Sequence, residues 1–149
     1  MTFSIYELPV GQGVLALSPM PVNIADVVAW TPDAVLTMTQ PAEMPHEMAD
    51  ALRVAAFAWL QCPVVDFGVP FADADWGVIH NQLLTVLSAK GRVLIHCKGG
   101  CGRSGMAVLR LMIAMGEAPD AALTRLRHVR PCAVETKAQL AWATAASLP

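Results

Sequence analysis

The most informative stretch of the chain is "VLIHCKGGCGRSG", residues 93–105, in which an apolar run leads into a glycine-rich turn. Its apolar start predicts a strand covered on both faces, and the apolar run that follows it predicts a buried helix. Between the two lies a glycine-rich turn with two cysteines, an arginine and a serine. Such a turn at a helix N-terminus presents backbone N–H groups to an anion. The stretch therefore predicts an oxyanion site, suited to phosphate, at a strand–helix junction.

Two side chains of this turn suit phosphoryl transfer. Cys97 stands at the base of the predicted cradle, whose positive field favours the thiolate form of a cysteine. The planar guanidinium of Arg103 can hold two phosphate oxygens at once, which a lysine cannot do. A thiolate below the phosphorus with a bidentate clamp beside it predicts a reaction through a phosphocysteine.

Metal and nucleotide sites are the alternative interpretations of the same turn. His96, Cys97 and Cys101 could be read as zinc ligands, but Cys-x3-Cys without a second ligand pair is a poor zinc pattern. The Gly-Lys-Ser/Thr of a nucleotide P-loop is absent. We therefore expect neither a metal nor a cofactor.

Strand and helix patterns alternate along the rest of the chain. The predicted strands cover residues 14–18, 34–38, 62–67 and 92–96, and the predicted helices cover 22–30, 46–59, 75–89, 105–116, 119–129 and 136–148. Alternation of this kind is typical of an α/β fold. We expect one domain over residues 1–149, with a central, mostly parallel sheet of about four to five strands flanked by helices.

Composition narrows the class of partner and the compartment. The net charge of the 149 residues is −2, which argues against nucleic acid or an anionic membrane as the main partner. No apolar run approaches a membrane span and the start is unlike a signal peptide, so we expect a cytoplasmic protein. A chain this small with one pocket is most simply a monomer. A chain of this length does not need disulfides, which favours four reduced thiols.

The segment "HCKGGCGRSG" (96–105) resembles a known signature at every fixed position. The signature is the His-Cys-x-x-Gly-x-x-Arg-Ser/Thr-Gly of the cysteine-dependent protein tyrosine and dual-specificity phosphatases. "PVVDFGVPFAD" (63–73) is similar to the family segment that bears the general acid, and "GQGVLALSPMP" (11–21) and "VRPCAVETKAQLAW" (129–142) are similar to flanking segments of the small atypical dual-specificity type around kinase-associated phosphatase and its bacterial relatives. The resemblance implies a dual-specificity phosphatase-like fold.

The resemblance also implies an activity and a set of roles. The substrate would be phosphotyrosine in a protein or peptide, with phosphoserine and phosphothreonine second. Cys97 would be the nucleophile, Arg103 the clamp and Asp66 the general acid, while Ser104 would assist the departing thiolate and His96 would brace the loop. The phosphate would be bound by backbone N–H groups of Lys98, Gly99, Gly100, Cys101, Gly102 and Arg103.

Two of the implied roles have rivals in the sequence. Asp73 and Asp75 lie close enough to compete with Asp66 as general acid, although the "D-x-G-x-P" pattern favours Asp66. Gln139 could position the hydrolytic water. It also lies three residues after Thr136 in a capping-box pattern, which favours a structural role.

The second thiol of the loop has no assigned role. Cys101 could trap an oxidised Cys97 as a disulfide or could be a small apolar wall residue, which we favour. Cys62 could also resolve an oxidised Cys97, and Cys132 is expected to be structural. Two other functions stay open, a phosphoinositide phosphatase and a catalytically weak module that binds phosphoprotein.

Overall fold

A computed structural model describes residues 3–72 and 74–145 of the chain. In chain order the elements are β1 (Tyr6–Val10), β2 (Gly13–Ser18), α1 (Ile24–Trp30), β3 (Ala34–Thr37), a 3-10 helix (Pro41–Glu43), α2 (His46–Val54), β4 (Ala58–Gln61), α3 (Trp76–Ser88), β5 (Arg92–His96), α4 (Gly102–Ala114), α5 (Pro119–Val129) and α6 (Lys137–Thr144). Within the described ranges no helix combines the length and the apolar character needed to cross a membrane. The elements confirm the α/β class.

The five strands form one sheet in the order β1-β2-β5-β3-β4. Only β1 runs antiparallel to its neighbour, so the sheet is mostly parallel, as predicted. β5 lies in the middle, and His96 at its end pairs in register with Thr37 of β3 and Ser18 of β2. Three parallel strands therefore end together, which places the loop after β5 where α/β sheets carry their sites.

Helices cover both faces of the sheet because the side chains of a strand alternate between faces. On β5, Val93 and Ile95 pack into a core cluster with residues of α3, α4 and α5. Leu94 belongs to the opposite cluster, together with Val27 of α1 and Leu52 of α2. α4 is buried almost all round, and the nearly continuous apolar run of its sequence predicts this.

The prediction was wrong around the fourth strand. The helix predicted over 46–59 ends at Val54, and the strand predicted over 62–67 lies at Ala58–Gln61. Alanines at positions 55 and 56 continue the helical spacing, but the chain after them pairs with β3 instead. Trp59 helps to fix that pairing, because its indole N–H donates to the Thr37 hydroxyl at 2.8 Å.

Two ends of the fold also differ from the prediction. β1 was not predicted, because Pro9 interrupts its pattern; a proline is tolerated there because β1 is an edge strand. α4 begins at Gly102 rather than at residue 105, and within the described residues α6 ends at Thr144.

Candidate active site

The loop between β5 and α4 closes tightly against the segment that follows β2. Gly100 has φ of +73°, and a Cβ there would come within 2.5 Å of the Pro19 nitrogen and 2.6 Å of the Ser18 carbonyl carbon. The N–H of Met20 donates to the Lys98 carbonyl at 3.0 Å. Glycine at position 100 is therefore required both by backbone conformation and by this close approach.

Cys97 is a free thiol at the base of this loop and is only 3% exposed. Its Sγ lies 3.3 Å from the hydroxyl oxygen of Ser104, which is fully buried in the first turn of α4. A hydroxyl in this position donates to sulfur when the sulfur is a thiolate. The structure thus brings these two predicted residues together.

His96 is fully buried behind the loop and is tied to Cys97 by a chain of hydrogen bonds. Because the Trp59 indole donates to the Thr37 oxygen, the Thr37 hydroxyl proton is left for Nε2 of His96, 2.7 Å away. The Cys97 carbonyl can only accept, so Nδ1 of His96 donates to it at 3.2 Å. Burial lowers the pKa of His96 to about 4, which keeps the ring neutral in this bridging role.

Arg103 is only 1% exposed, and three of its five N–H groups donate hydrogen bonds to protein groups. Nη1 donates to the Glu43 carboxylate at 2.7 Å and to the Val64 carbonyl at 2.8 Å. Nη2 donates to the other Glu43 oxygen at 2.9 Å and lies 3.5 Å from Asp66 Oδ1. Nε is buried without a partner among the described residues. That one N–H is free to bind an oxygen of a phosphate.

Glu43 is a site residue that the sequence prediction missed. It ends the 3-10 helix after β3, and the backbone N–H of Gln40 donates to its carboxylate at 2.8 Å. The hydrogen bond from Arg103 holds the pKa of Glu43 below its ordinary value. Burial alone would lower the pKa of Arg103, but the hydrogen bonds and the charge of Glu43 raise it above its ordinary value. An acid just after the carboxyl end of a strand beside β5 is the signal that could have identified it.

Asp66 lies at the open side of the site, with its side chain 53% exposed. It accepts a hydrogen bond from the N–H of Phe67, which has a φ of +63°. Of the two rival acids, Asp75 lies at the start of α3 and acts electrostatically on Cys62, whereas Asp73 lies outside the described residues. Asp66 is the predicted acid that the structure places beside Arg103.

Gln139 is fully buried and joins α6 to the loop that carries Asp66. Its Oε1 accepts from the N–H groups of Glu135 and Thr136, and its own backbone N–H donates to the Thr136 hydroxyl. Its Nε2 donates to the Gly68 carbonyl at 3.1 Å. The predicted capping box is confirmed, and the amide also fixes the position of the acid loop.

Glu135 is a second acid that the sequence prediction missed. A Cβ on Gly102 would collide with its carboxylate oxygen, so Glu135 covers the first residue of α4.

Within residues 3–72 and 74–145 no group of three His, Cys, Asp or Glu side chains is arranged to hold a metal ion.

The expectation of four reduced thiols was wrong, because Cys101 and Cys132 form a disulfide with a Cα–Cα distance of 5.2 Å. The disulfide excludes the favoured interpretation of Cys101 as a mere wall residue. Cys132, which was expected to be structural, forms the other half of this crosslink. The two cysteines are 31 residues apart, and composition does not show that the loop after α5 returns to the loop between β5 and α4, residues 97–101, hereafter the catalytic loop.

The loop after α5 contacts the outer side of the catalytic loop at several further points. Arg130 donates to the carbonyls of Gly99 and Gly100, and Val134 N–H donates to the Cys101 carbonyl at 3.1 Å. Cys62 takes no part; it is a free buried thiol whose pKa is raised by burial and by the charge of Asp75. A raised pKa makes it a poor resolving thiol.

Removal of the disulfide is expected to cost more stability than activity. Cys132→Ser should lower the free energy of unfolding by about 3 to 4 kcal/mol, because the crosslink closes a loop of 31 residues in the unfolded chain. Arg130 and Val134 still hold the catalytic loop, so hydrolysis of a small phosphate ester should fall by less than about tenfold. Urea unfolding of the oxidised protein and the variant, with Cys62→Ser as control, measures this. Equal unfolding midpoints would contradict it.

The comparisons with known proteins agree with this geometry. Residues 10–143 match the family described as "Swiss Army Knife protein, DSP-PTPase phosphatase domain". The structure of Tk-PTP in the active form is 32% identical, with 89% of this chain and 90% of that chain covered and a TM-score of 0.76. Kinase associated phosphatase, solved with its catalytic-site cysteine replaced by serine, is 20% identical and shares the fold, with 96% and 93% of the chains covered and a TM-score of 0.81.

A sequence relative covers a smaller part of the chain. Cyclin-dependent kinase inhibitor 3 of Mus musculus is 38% identical over 69 residues, which are 46% of this chain and 32% of the relative. The chain thus spans about a third of the length of this curated relative. The family match, in contrast, extends from the end of β1 to α6 and includes every described residue of the site. The chain therefore belongs to the DSP-PTPase family of phosphatase domains.

Proposed function

We propose that this chain hydrolyses phosphomonoesters on protein, phosphotyrosine above all, through a phosphocysteine. The observation that carries the proposal is the arrangement around Cys97. A buried free thiol lies beside the Ser104 hydroxyl, and Arg103 in the first turn of α4 keeps one buried N–H that has no partner among the described residues. Asp66 stands next to the same guanidinium on the exposed side. Nucleophile, anion receptor and acid are thus assembled at one strand end.

In the first step the thiolate of Cys97 attacks phosphorus. The S–P bond forms as the bond from phosphorus to the ester oxygen breaks, and Asp66 gives its proton to the departing oxygen. The backbone N–H groups of residues 98–103 and the free N–H of Arg103 bind the equatorial oxygens as charge develops on them. The products of this step are the dephosphorylated side chain and the phosphoenzyme.

In the second step a water molecule attacks the same phosphorus. Asp66, now a carboxylate, takes the proton of the water, and the S–P bond breaks with its electron pair returning to Cys97. The Ser104 hydroxyl donates to the departing thiolate, which lowers the cost of that negative charge. One chain carries every group that these two steps use, so the proposed catalysis does not need a second subunit.

The rim of the site supports a protein substrate. Phe67, the residue after Asp66, is 59% exposed and offers an aromatic surface where a phosphotyrosine ring would enter. The catalytic loop itself carries a single lysine, Lys98, which is a weak basis for binding a multiply phosphorylated inositol. These features favour phosphotyrosine over phosphoinositide.

A substrate panel tests this order. Phosphate release should be faster from a phosphotyrosine peptide than from its phosphoserine and phosphothreonine versions or from a soluble phosphoinositide, with Cys97→Ser as the inactive control. Faster release from the phosphoinositide would overturn the substrate class. If the folded enzyme, with Cys97 as a free thiol, releases phosphate from none of them, the phosphoprotein-binding module replaces the enzyme.

A further inference from the structure

An apolar groove of about 720 Å³ opens beside the catalytic loop. One wall is the segment around Met20 and Ile24, and the other is the first half of α2, with Met48 and Ala51. Its volume is in the range of sites that bind small molecules or peptide side chains. None of these residues takes part in the catalytic steps described above.

The groove is continuous with the site through Lys98. Lys98 lines the groove and directly follows Cys97 in the chain. Its carbonyl accepts from the N–H of Met20, which joins the catalytic loop to one wall. The other wall, α2, begins three residues after Glu43, the partner of Arg103. A molecule held by its phosphate at Cys97 therefore has the groove as its immediate neighbour.

We propose that this groove binds an apolar side chain of the substrate peptide, next to the phosphorylated residue. This inference rests on the proposed function and specifies its substrate class. A peptide advances about 3.3 Å per extended residue, so a side chain one to three residues away can reach the groove while the phosphate is bound.

The lining matches a peptide better than a lipid head group. The groove contains one basic residue, Lys98, and one acidic residue, Glu47, so its charges offset each other. A polyphosphorylated head group would require an excess of positive charge. Val22 lines the groove and is 81% exposed, so its side chain is accessible to a ligand bound there. A leucine or methionine side chain would cover it.

The test compares phosphotyrosine peptides in which one leucine is moved through the positions flanking the phosphotyrosine in a background of serine. The wild-type enzyme should show a kcat/KM about tenfold higher for the best leucine position than for the all-serine peptide. Ala51→Trp, which fills the groove, should abolish this preference, and Val22→Ser should weaken it. Val54→Ser, a change at an exposed valine at the end of α2 and outside the groove, is the matched control and should leave the preference intact.

Para-nitrophenyl phosphate, which has no peptide, separates the possible failures. Its kcat/KM should be the same in the wild type, Ala51→Trp and Val22→Ser, which also shows that the variants fold. No leucine preference in the wild type, or one that survives Ala51→Trp, would overturn the groove proposal alone. A soluble phosphoinositide whose turnover exceeds that of every peptide and falls in Ala51→Trp would replace the peptide by a lipid. If the wild type hydrolyses none of these substrates, the proposed function is overturned, and the groove proposal with it.

Discussion

Cys97→Ser is expected to lower kcat for para-nitrophenyl phosphate by about 10⁴-fold or more. The change replaces one sulfur by oxygen in a buried position beside Ser104, so the shape of the loop should be kept. A serine hydroxyl is far less acidic than a thiol, and among the described residues the side chain at position 97 is hydrogen-bonded only to the Ser104 hydroxyl, which is not a base. Steady-state rates from pH 5 to 8, with a chelator present, measure the effect.

The free thiol Cys62 provides the control for this change. It is buried like Cys97 but takes no part in the catalytic steps, and Cys62→Ser should retain the activity of the wild type within about threefold. The Cys97→Ser protein should still bind the phosphotyrosine peptide, because the anion receptor is unchanged. Activity in Cys97→Ser comparable to the wild type would rule out this cysteine as nucleophile.

Arg103→Lys is expected to lower kcat/KM for the same ester by about 10²- to 10³-fold. A lysine offers one ammonium in place of the planar fork, so it cannot satisfy Glu43 and a phosphate oxygen in the same geometry. Arg92→Lys is the matched control, since Arg92 stacks on Trp30 away from the site. An Arg103→Lys enzyme as active as the Arg92→Lys control would show that the Arg103 guanidinium is not needed to bind the phosphate.

Glu43→Gln should lower kcat/KM less than Arg103→Lys does, because Glu43 acts through Arg103. Glu43→Gln keeps the shape of the side chain but removes the charge that orients the guanidinium, and we expect a fall of about tenfold in kcat/KM. Because Glu43 is a positioning residue, its effect should largely disappear in the Arg103→Lys background. Additive losses in the double variant would show that Glu43 acts independently of Arg103.

The parts of the fold that local pattern determines could be predicted from the sequence. The strand at 92–96, the loop and the buried helix after it follow from continuous apolar runs on either side of glycines. β4 was displaced because the alanines at positions 55 and 56 continue the helical spacing past Val54, and the pairing with β3 that places the strand at Ala58–Gln61 is not local. β1 was missed because its Pro9 is tolerated only at a sheet edge.

The site residues likewise divide into those that local sequence identifies and those that only the folded chain brings together. The sequence places Cys97, Ser104 and Arg103 within eight residues, and Asp66 follows from the resemblance to the family. Glu43 and the Cys101–Cys132 disulfide depend on segments that are distant in sequence and meet only when the sheet is assembled. Neither residue type nor spacing identifies such contacts in a single sequence.

Detection of the phosphoenzyme shows directly whether Cys97 carries the phosphoryl group during turnover. Ser104→Ala should slow release of the thiolate and let the intermediate accumulate, so the enzyme is mixed with para-nitrophenyl phosphate, quenched rapidly and analysed by intact mass and peptide mapping. We predict one phosphoryl group per chain, located on Cys97 and absent from Cys97→Ser. Continued hydrolysis with no phosphoryl group on Cys97, or with the group on another residue, would contradict the account.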